Sequence, residues 1–264
     1  LHSPFKKERN PRIFVCQINR ACMKKRIQHL LQRLLGFESY LFWFARFKIM
    51  TFKSDRNERD FFHFLALLKP DQNVLDIGAN IGITSVWLSR TLPQGQIHSF
   101  EPVPPNYQTL NRIVRAYQCS NVTLHQLALG AEPGEVELVM PEVEQVQMQG
   151  LSHVVHEELT DFNEGRRFKA QIVTLDGFPA IQDVLIHAIK LDVENFEAFV
   201  LEGALELIQS QRPIIYTELW ENDNRQRCFD LIQSFDYRIQ CLIDGQLVDF
   251  DADQHQTQNF FFLP

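Results

Sequence analysis

The sequence predicts an α/β domain built on a doubly wound, mostly parallel sheet, and three observations predict it. From Glu58 onward, short apolar runs alternate with stretches of helical periodicity, the pattern of strands joined by crossover helices. The run "VLDIGANIG" ends on a carboxylate, Asp76, and passes at once into Gly78, Ala79, Asn80 and Gly82, a tight small-residue turn. Near the end, "YRIQCLI" and "QNFFFLP" are separated only by "DGQLVDFDADQHQT", which has no room for a crossover helix. These last strands are therefore expected to be antiparallel, with Asp244-Gly245 as one of the turns.

The elements follow in order. "ACMKKRIQHLLQRLLGFESYLFWFARF" carries Ile27, Leu30, Leu31, Leu34 and Leu35 at helical spacing, and Gly36 should break the helix. "ERDFFHFLALL" reads as a helix closed by Lys69-Pro70, "NVLDIG" as a strand, and Ile83 to about Thr91 as the next helix. "QIHSFEP" is a strand, "PNYQTLNRIVRAY" a helix and "VTLHQLAL" a third strand. "GEVELVM" and "RFKAQIVTL" alternate as extra strands within an insertion over residues 131–170. "LIHAIKLD" is a strand, "FEAFVLEGALELI" a helix, "PIIYTEL" a strand and "RQRCFDLIQSF" a helix.

Charge divides the chain. Residues 1–53 hold 12 Lys/Arg and two acids, Glu8 and Glu38, whereas the remainder holds 14 Lys/Arg and 31 acids, giving +10 against −17. Residues 1–57 are therefore expected to be a basic helical extension and 58–264 the principal domain. The apolar stripe of the extension either packs on that domain or faces an acidic partner such as anionic lipid. Five cysteines without a CxxC pair point to a reducing, cytoplasmic setting, peripheral to a membrane if the extension binds one. The run "YLFWFARFKIMTF" is broken by Arg46 and Lys48 and is too short to span a bilayer.

Ligands in doubly wound sheets sit at the carboxyl ends of the strands, where the Asp76–Gly82 turn lies. A dinucleotide fingerprint would need glycines at 78, 80 and 83, but the chain has Gly78, Asn80 and Ile83; no P-loop Lys-Ser/Thr follows either. A carboxylate at Asp76 repels phosphate and favours a ligand that is cationic where it meets the turn. S-adenosylmethionine, with an ammonium, a sulfonium and no phosphate, fits. Glu101 ends the second strand 25 residues after Asp76, where an acid holds ribose hydroxyls in nucleotide-binding folds. The cofactor site is expected to include Asp76, Gly78, Asn80, Gly82, Thr84, Glu101, Pro102, Leu127 and Ala128. The plainer alternative makes Asp76 a helix cap and Glu101 a solvated loop acid.

Beyond these positions, "VLDIGANIG", "HSFEPVPPNYQTL", "LALGAEPGEVEL", "VTLDGF" and "IKLDVENFEAFVLEGALELI…RPIIYTEL" resemble, in order, successive motifs of the FkbM-type family of class I S-adenosylmethionine-dependent methyltransferases. The resemblance runs from about Glu58 to Leu219. It implies a Rossmann-like, seven-stranded sheet with a reversed last strand, and O-methylation of a sugar, glycan or natural-product hydroxyl. The chain departs from the family pattern at Asn195, where a glycine is usual after "DVE". Asn tolerates a left-handed backbone better than most residues, so the turn can survive.

Methyl transfer to a hydroxyl is an in-line displacement that needs the oxygen roughly 3 Å from the methyl carbon and a group to take the proton. Three arrangements stay open. Asp192 or Glu194, at the end of "IKLDVEN", is the base. Alternatively, Asp192, Glu194 and Glu218 form an oxygen-ligand set for Mg²⁺, which is not otherwise expected. Finally, these acids are structural and His153, beside Ser152 in the insertion, takes the proton. His156 is a weaker candidate, and His187 within a strand reads as a packed residue. Glu218 and Trp220 are placed on the substrate side, Trp220 as a platform for a sugar ring.

Two other functions compete with an acceptor-modifying enzyme. A nucleic-acid methyltransferase would use the basic extension to hold phosphates. However, "DVEN" stands where base-amine methyltransferases carry an Asn/Asp-Pro-Pro-aromatic turn, and the acidic domain repels a phosphate backbone, so nucleic acid is not the expected partner. The other is a cofactor-binding scaffold that catalyses nothing. The aromatic stretch around Trp43 also suits a contact between two copies of the chain.

Overall fold

The computed structural model describes residues 27–143, 146–155 and 164–264. Its centre is an eight-stranded sheet in the order β12-β11-β13-β10-β9-β1-β2-β3. The strands are β1 (Asn73–Ile77), β2 (Ile97–Phe100), β3 (Val122–His125), β9 (Ile186–Leu191), β10 (Ile214–Glu218), β11 (Arg238–Ile243), β12 (Gln246–Asp249) and β13 (Asn259–Leu263). Strands β3, β2, β1, β9 and β10 run parallel, whereas β13 is antiparallel to both β10 and β11. The reversed final strand is as the sequence leads one to expect. The strand number is eight rather than seven, because the chain folds back at Asp244-Gly245 and adds β12 to the edge. Both turn residues have positive φ (50° and 83°), the conformation that matches the twist of a two-residue hairpin.

The central strands are continuous apolar runs because both sheet faces are covered. Val74, Ile97, Ala188, Tyr216 and Phe261 point to one face, where they pack with Phe61, Phe64 and Leu65 of α3 (Arg59–Ala66) and Leu88 of α4 (Ile83–Thr91). Phe64 stacks on Tyr216 with ring centroids 5.4 Å apart. Leu75, Ile189, Ile215, Phe260 and Phe262 point the other way, onto α6 (Glu197–Glu202), α7 (Leu205–Gln211) and α8 (Asp223–Gln233). A third cluster joins α2 (Phe37–Thr51) to α4 and α5 (Pro104–Ala116) through Leu41, Ala45, Ile49, Val86, Leu110 and Ile113. Thus α2, within the basic extension, is built into the core. Before it, residues 27–35 form a helix, α1, which ends at Gly36 as its sequence predicts.

Two expected elements are divided. "FEAFVLEGALELI" is two helices that part at Gly203 and Ala204, and Gly203 lies so close to Gly130 that a Cβ there would sit 2.0 Å from the Gly130 carbonyl oxygen. "VTLHQLAL" is β3 followed by β4 (Ala128–Leu129), which leaves the main sheet for a second one. That smaller sheet holds β4, β5 (Gly134–Val143), β6 (Val146–Gln147), β7 (His153–Val154) and β8 (Gly165–Val173), so the insertion folds as a separate layer over the carboxyl ends of β1 and β2.

Candidate active site

The turn after β1 is shaped by its neighbours in the sheet. The N–H groups of Gly78 and Ala79 both donate to the Phe100 carbonyl at the end of β2, at 3.1 and 2.9 Å. Gly78 has φ 75°, and a Cβ there would lie 1.8 Å from the Asp192 carbonyl oxygen. Its smallness is demanded by the end of β9 pressing on it. Gly82 has φ 88° and faces Leu110, which a Cβ would meet at 2.8 Å, so it is small for helix packing.

Asp76 is fully buried and serves as an anchor. Its carboxylate accepts from Ser85 Oγ at 2.6 Å and from Thr84 Oγ1 at 3.0 and 3.1 Å. Lys190 Nζ lies 4.0 Å away and also reaches Asp192 Oδ2 at 3.2 Å and the Gly78 carbonyl at 3.0 Å. Burial pushes the Asp76 carboxyl up, against the pull of Lys190, Ser85 and Thr84. Burial alone would lower the Lys190 ammonium, but Asp192 and Asp76 outweigh it and hold it above its ordinary value. Asp76 is not among the residues that line the cleft, and its carboxylate faces Ser85, Thr84 and Lys190. Gly82, Thr84, Glu218 and Trp220 also lie outside the cleft lining.

The cleft has a cavity volume of about 90 Å³. Gly78, Asn80, Glu101, Pro102, Leu127, Ala128, Ser152, His153, Asp192 and Glu194 all line it, so ten of the anticipated residues meet at one place. Glu101 accepts from the N–H groups of Asn80 and Val103, each at 2.9 Å. Burial raises it to about 7, with those two bonds opposing. Phe100, Leu129, Leu138, Val154 and Phe196 supply an apolar wall. Three lining side chains, Asn80, Asn106 and Gln149, each bury a carbonyl oxygen with no hydrogen-bond partner. A buried acceptor without a donor is costly, so this wall fits a ligand that brings N–H or O–H groups.

The loop after β9 forms the opposite wall. Glu194 and Asn195 both have left-handed backbones, with φ 55° and 70°. Asn195 thus holds the conformation that glycine would, and its Oδ1 accepts from Asn222 Nδ2 at 2.7 Å, a bond glycine could not make. Glu197 accepts from the Val193 N–H at 3.0 Å and from Asn224 Nδ2 at 2.7 Å, and Ala198 N–H donates to Asn224 Oδ1 at 3.1 Å. The structural acid of this loop is therefore Glu197, raised to about 7 by its burial. Glu194 is pushed up to about 9, first by burial and then by Asp192, Glu197 and Glu218. His153 Nδ1 lies 2.9 Å from the Leu151 carbonyl. Ser152 Oγ donates to the Gln149 carbonyl at 3.0 Å.

Among the described residues, no group of three or more His, Cys, Asp or Glu has metal-ligand spacing, and Asp192, Glu194 and Glu218 do not gather into one. Asp192 is drawn to Lys190 and Glu218 stands outside the cleft. His187 is a sheet residue whose Nδ1 accepts from the Asn73 N–H at 3.1 Å. Cys119, Cys228 and Cys241 are buried free thiols. His156, Cys16 and Cys22 lie outside the described residues.

Lys190, Asn106, Gln149, Phe196 and Glu197 are absent from the sequence-based site. One of them carried a readable signal: a lysine inside the apolar run "IHAIKL" must be buried, and a buried ammonium demands acidic partners.

The family description "Methyltransferase FkbM domain" matches residues 76–243. The chain belongs to the FkbM methyltransferase family. Among curated proteins it is 28% identical over 151 residues to Methyltransferase 1 of Beauveria bassiana, covering 50% of this chain and 58% of that protein. It is 29% identical over 181 residues to Methyltransferase sdnD of Sordaria araneosa, covering 60% and 70%. A solved structure of an FkbM methyltransferase from Methylobacillus flagellatus superposes with a TM-score of 0.51 at 20% identity, over 75% of this chain and 45% of that one. The chain thus spans less than two thirds of the first curated relative and under half of that solved structure. At this identity the superposition speaks for the fold alone. No helix of the described residues is long and apolar enough to cross a membrane.

Proposed function

We propose that this protein is an S-adenosylmethionine-dependent O-methyltransferase acting on a hydroxyl of a sugar, glycan or natural-product acceptor. The observation that carries the cofactor half is the wall around Glu101: a buried carboxylate suited to a ribose diol, beside three buried acceptors that want donors. The cofactor offers such donors in its ammonium, its adenine amine and its ribose hydroxyls, and it carries no phosphate for the acidic cleft to repel. Asn80, Glu101, Asn106 and Gln149 would hold it, with Phe100, Leu129 and Phe196 against its apolar faces. Bound there, it supplies a methyl group on a sulfonium.

The remaining chemistry belongs to this chain. Glu194 takes the acceptor's proton as the oxygen attacks. Burial first, and then its acidic neighbours, make it an unusually basic carboxyl, and a cation in the cleft opposes both. Asp192, fixed by Lys190, orients the acceptor. His153 is the second candidate for the proton, favoured by its place in the lining. Glu194→Gln and His153→Gln, compared on any acceptor that is turned over, separate the two. The base is the residue whose loss lowers kcat by about 10²-fold or more with little change in KM. The cofactor is tested by calorimetry with S-adenosylhomocysteine against a dinucleotide. Heat with the dinucleotide alone would sink the reading.

A further inference from the structure

The most exposed apolar surface among the described residues is on α1 and α2. Helix α2 has two faces. Leu41, Ala45 and Ile49 recur every four residues and are buried in the core, whereas Trp43, Phe47 and Met50 project from the other side at 57%, 61% and 78% exposure. On α1, Ile27, Leu30, Leu31, Leu34 and Leu35 form one row, all exposed. Eight large apolar side chains on two consecutive helices exceed what a soluble surface scatters by chance.

Charge identifies what covers this surface. Residues 1–53 carry 12 Lys/Arg against two acids, four of the twelve within the described residues as Arg33, Arg46, Lys48 and Lys53, while the rest of the chain is −17. Arg33 and Lys53 are exposed within the helical region, and the Arg46 guanidinium lies over the Trp43 ring at 5.3 Å, the pairing of aromatic and cation found at a bilayer interface. A nucleic acid would satisfy the cations and leave the leucine row in water. A second copy would cover the row but set one segment of +10 against another. A bilayer containing anionic lipid satisfies both and repels the acidic body, which orients the molecule.

We propose that α1 and α2 are a peripheral membrane-binding surface for anionic bilayers. Helix α1 is also tied to the cleft's outer layer. The Gln32 amide donates to the Gln147 carbonyl and accepts from the Gln147 N–H, each at 3.2 Å. A bilayer beneath α1 therefore lies beside the segment, residues 146–155, that contributes Gln149, Ser152 and His153 to the cleft lining.

The test is co-sedimentation of the full chain with vesicles of phosphatidylcholine alone or mixed with phosphatidylserine. Binding is expected on the mixed vesicles only, falling as salt is raised. The triple variant Trp43→Ser, Phe47→Ser, Met50→Ser is expected to bind at least about tenfold more weakly with an unchanged melting temperature. Because those side chains lie outside the core, folding is checked by the melt, and Leu30→Ser with Leu34→Ser supplies an independent pair. No sedimentation with mixed vesicles at low salt would overturn the proposal. So would binding undiminished in both variant sets, or a dimer in solution that the triple variant dissociates and that does not bind vesicles.

Discussion

The ammonium of Lys190 lies 3.0 Å from the carbonyl oxygen of Gly78 and 3.2 Å from the carboxylate of Asp192. One buried cation thereby ties the glycine turn after β1 to the loop after β9, the two walls between which the cleft opens. It also stands 4.0 Å from Asp76, which would otherwise be a buried carboxylate supported by hydroxyls alone. Lys190→Met leaves that charge without its cation and frees the Gly78 carbonyl. The expected loss is about 3–5 kcal/mol of unfolding free energy, read from denaturant melts. Adding Asp76→Asn to that variant should recover part of the loss. Strict additivity of the two changes would show that the pair is not coupled.

Gly78 is held by that same contact and by its positive φ. Gly78→Ala places a methyl against the Asp192 carbonyl, which the sheet cannot move aside. The variant is expected to be destabilised by more than about 3 kcal/mol or to fail to fold. Asn80→Gly is the contrasting change. It relieves a left-handed backbone at φ 49° and removes an unpartnered buried oxygen. It should leave stability within about 1 kcal/mol while weakening cofactor binding, as measured by calorimetry.

These two positions mark how far the sequence could be read. The "VLDIGANIG" stretch announced a ligand-side turn, and the cleft does open there. The reason for Gly78 was not legible, because it lies more than a hundred positions away at the end of β9, and that for Gly82 lies at Leu110 on α5. Helix and strand positions followed from apolar periodicity, which is local. The breaks did not: the helix parts at Gly203, whose close approach to Gly130 is a contact between distant segments. In the site, the residues at the ends of β1, β2 and β9 were visible from strand order. Asn106 and Gln149 come to the cleft from a helix and from the insertion, and nothing in their own neighbourhood marks them. Asp76 was legible as a buried strand-end acid, but its lysine neighbour on β9 was not.

Asn195 stands where the family resemblance expects glycine, and the chain compensates through Asn222. Asn195→Gly removes a 2.7 Å hydrogen bond but eases a φ of 70°, so the net change should stay within about 1 kcal/mol. Asn195→Val cannot relax in either way and is expected to cost more than about 2 kcal/mol. Thermal melts of both variants test this. Equal melting temperatures for the two would show that the loop is not held in the left-handed conformation.

The acid cluster makes stability pH-dependent in a direction opposite to most carboxylates. Glu194 is raised from 4.5 to about 9 in the folded chain, and Glu101 and Glu197 to about 7, in each case chiefly by burial. A carboxyl whose folded pKa is raised binds more protons folded than unfolded. Its contribution is fully present below about 4.5 and is lost as pH climbs through the folded value. The unliganded protein should therefore lose stability from about pH 5 to pH 9. Glu194→Gln, which has no proton to lose, should match the parent near pH 4.5 and melt about 2–4 °C higher near pH 9, while keeping the slope below pH 7 that Glu101 and Glu197 produce. A cation bound in the cleft pulls Glu194 back down, so cofactor binding should release protons between pH 7 and 9 and tighten as pH rises. Calorimetry in buffers of different ionisation enthalpy reads that release directly. A binding enthalpy independent of buffer at pH 8 would show that Glu194 does not sense the ligand.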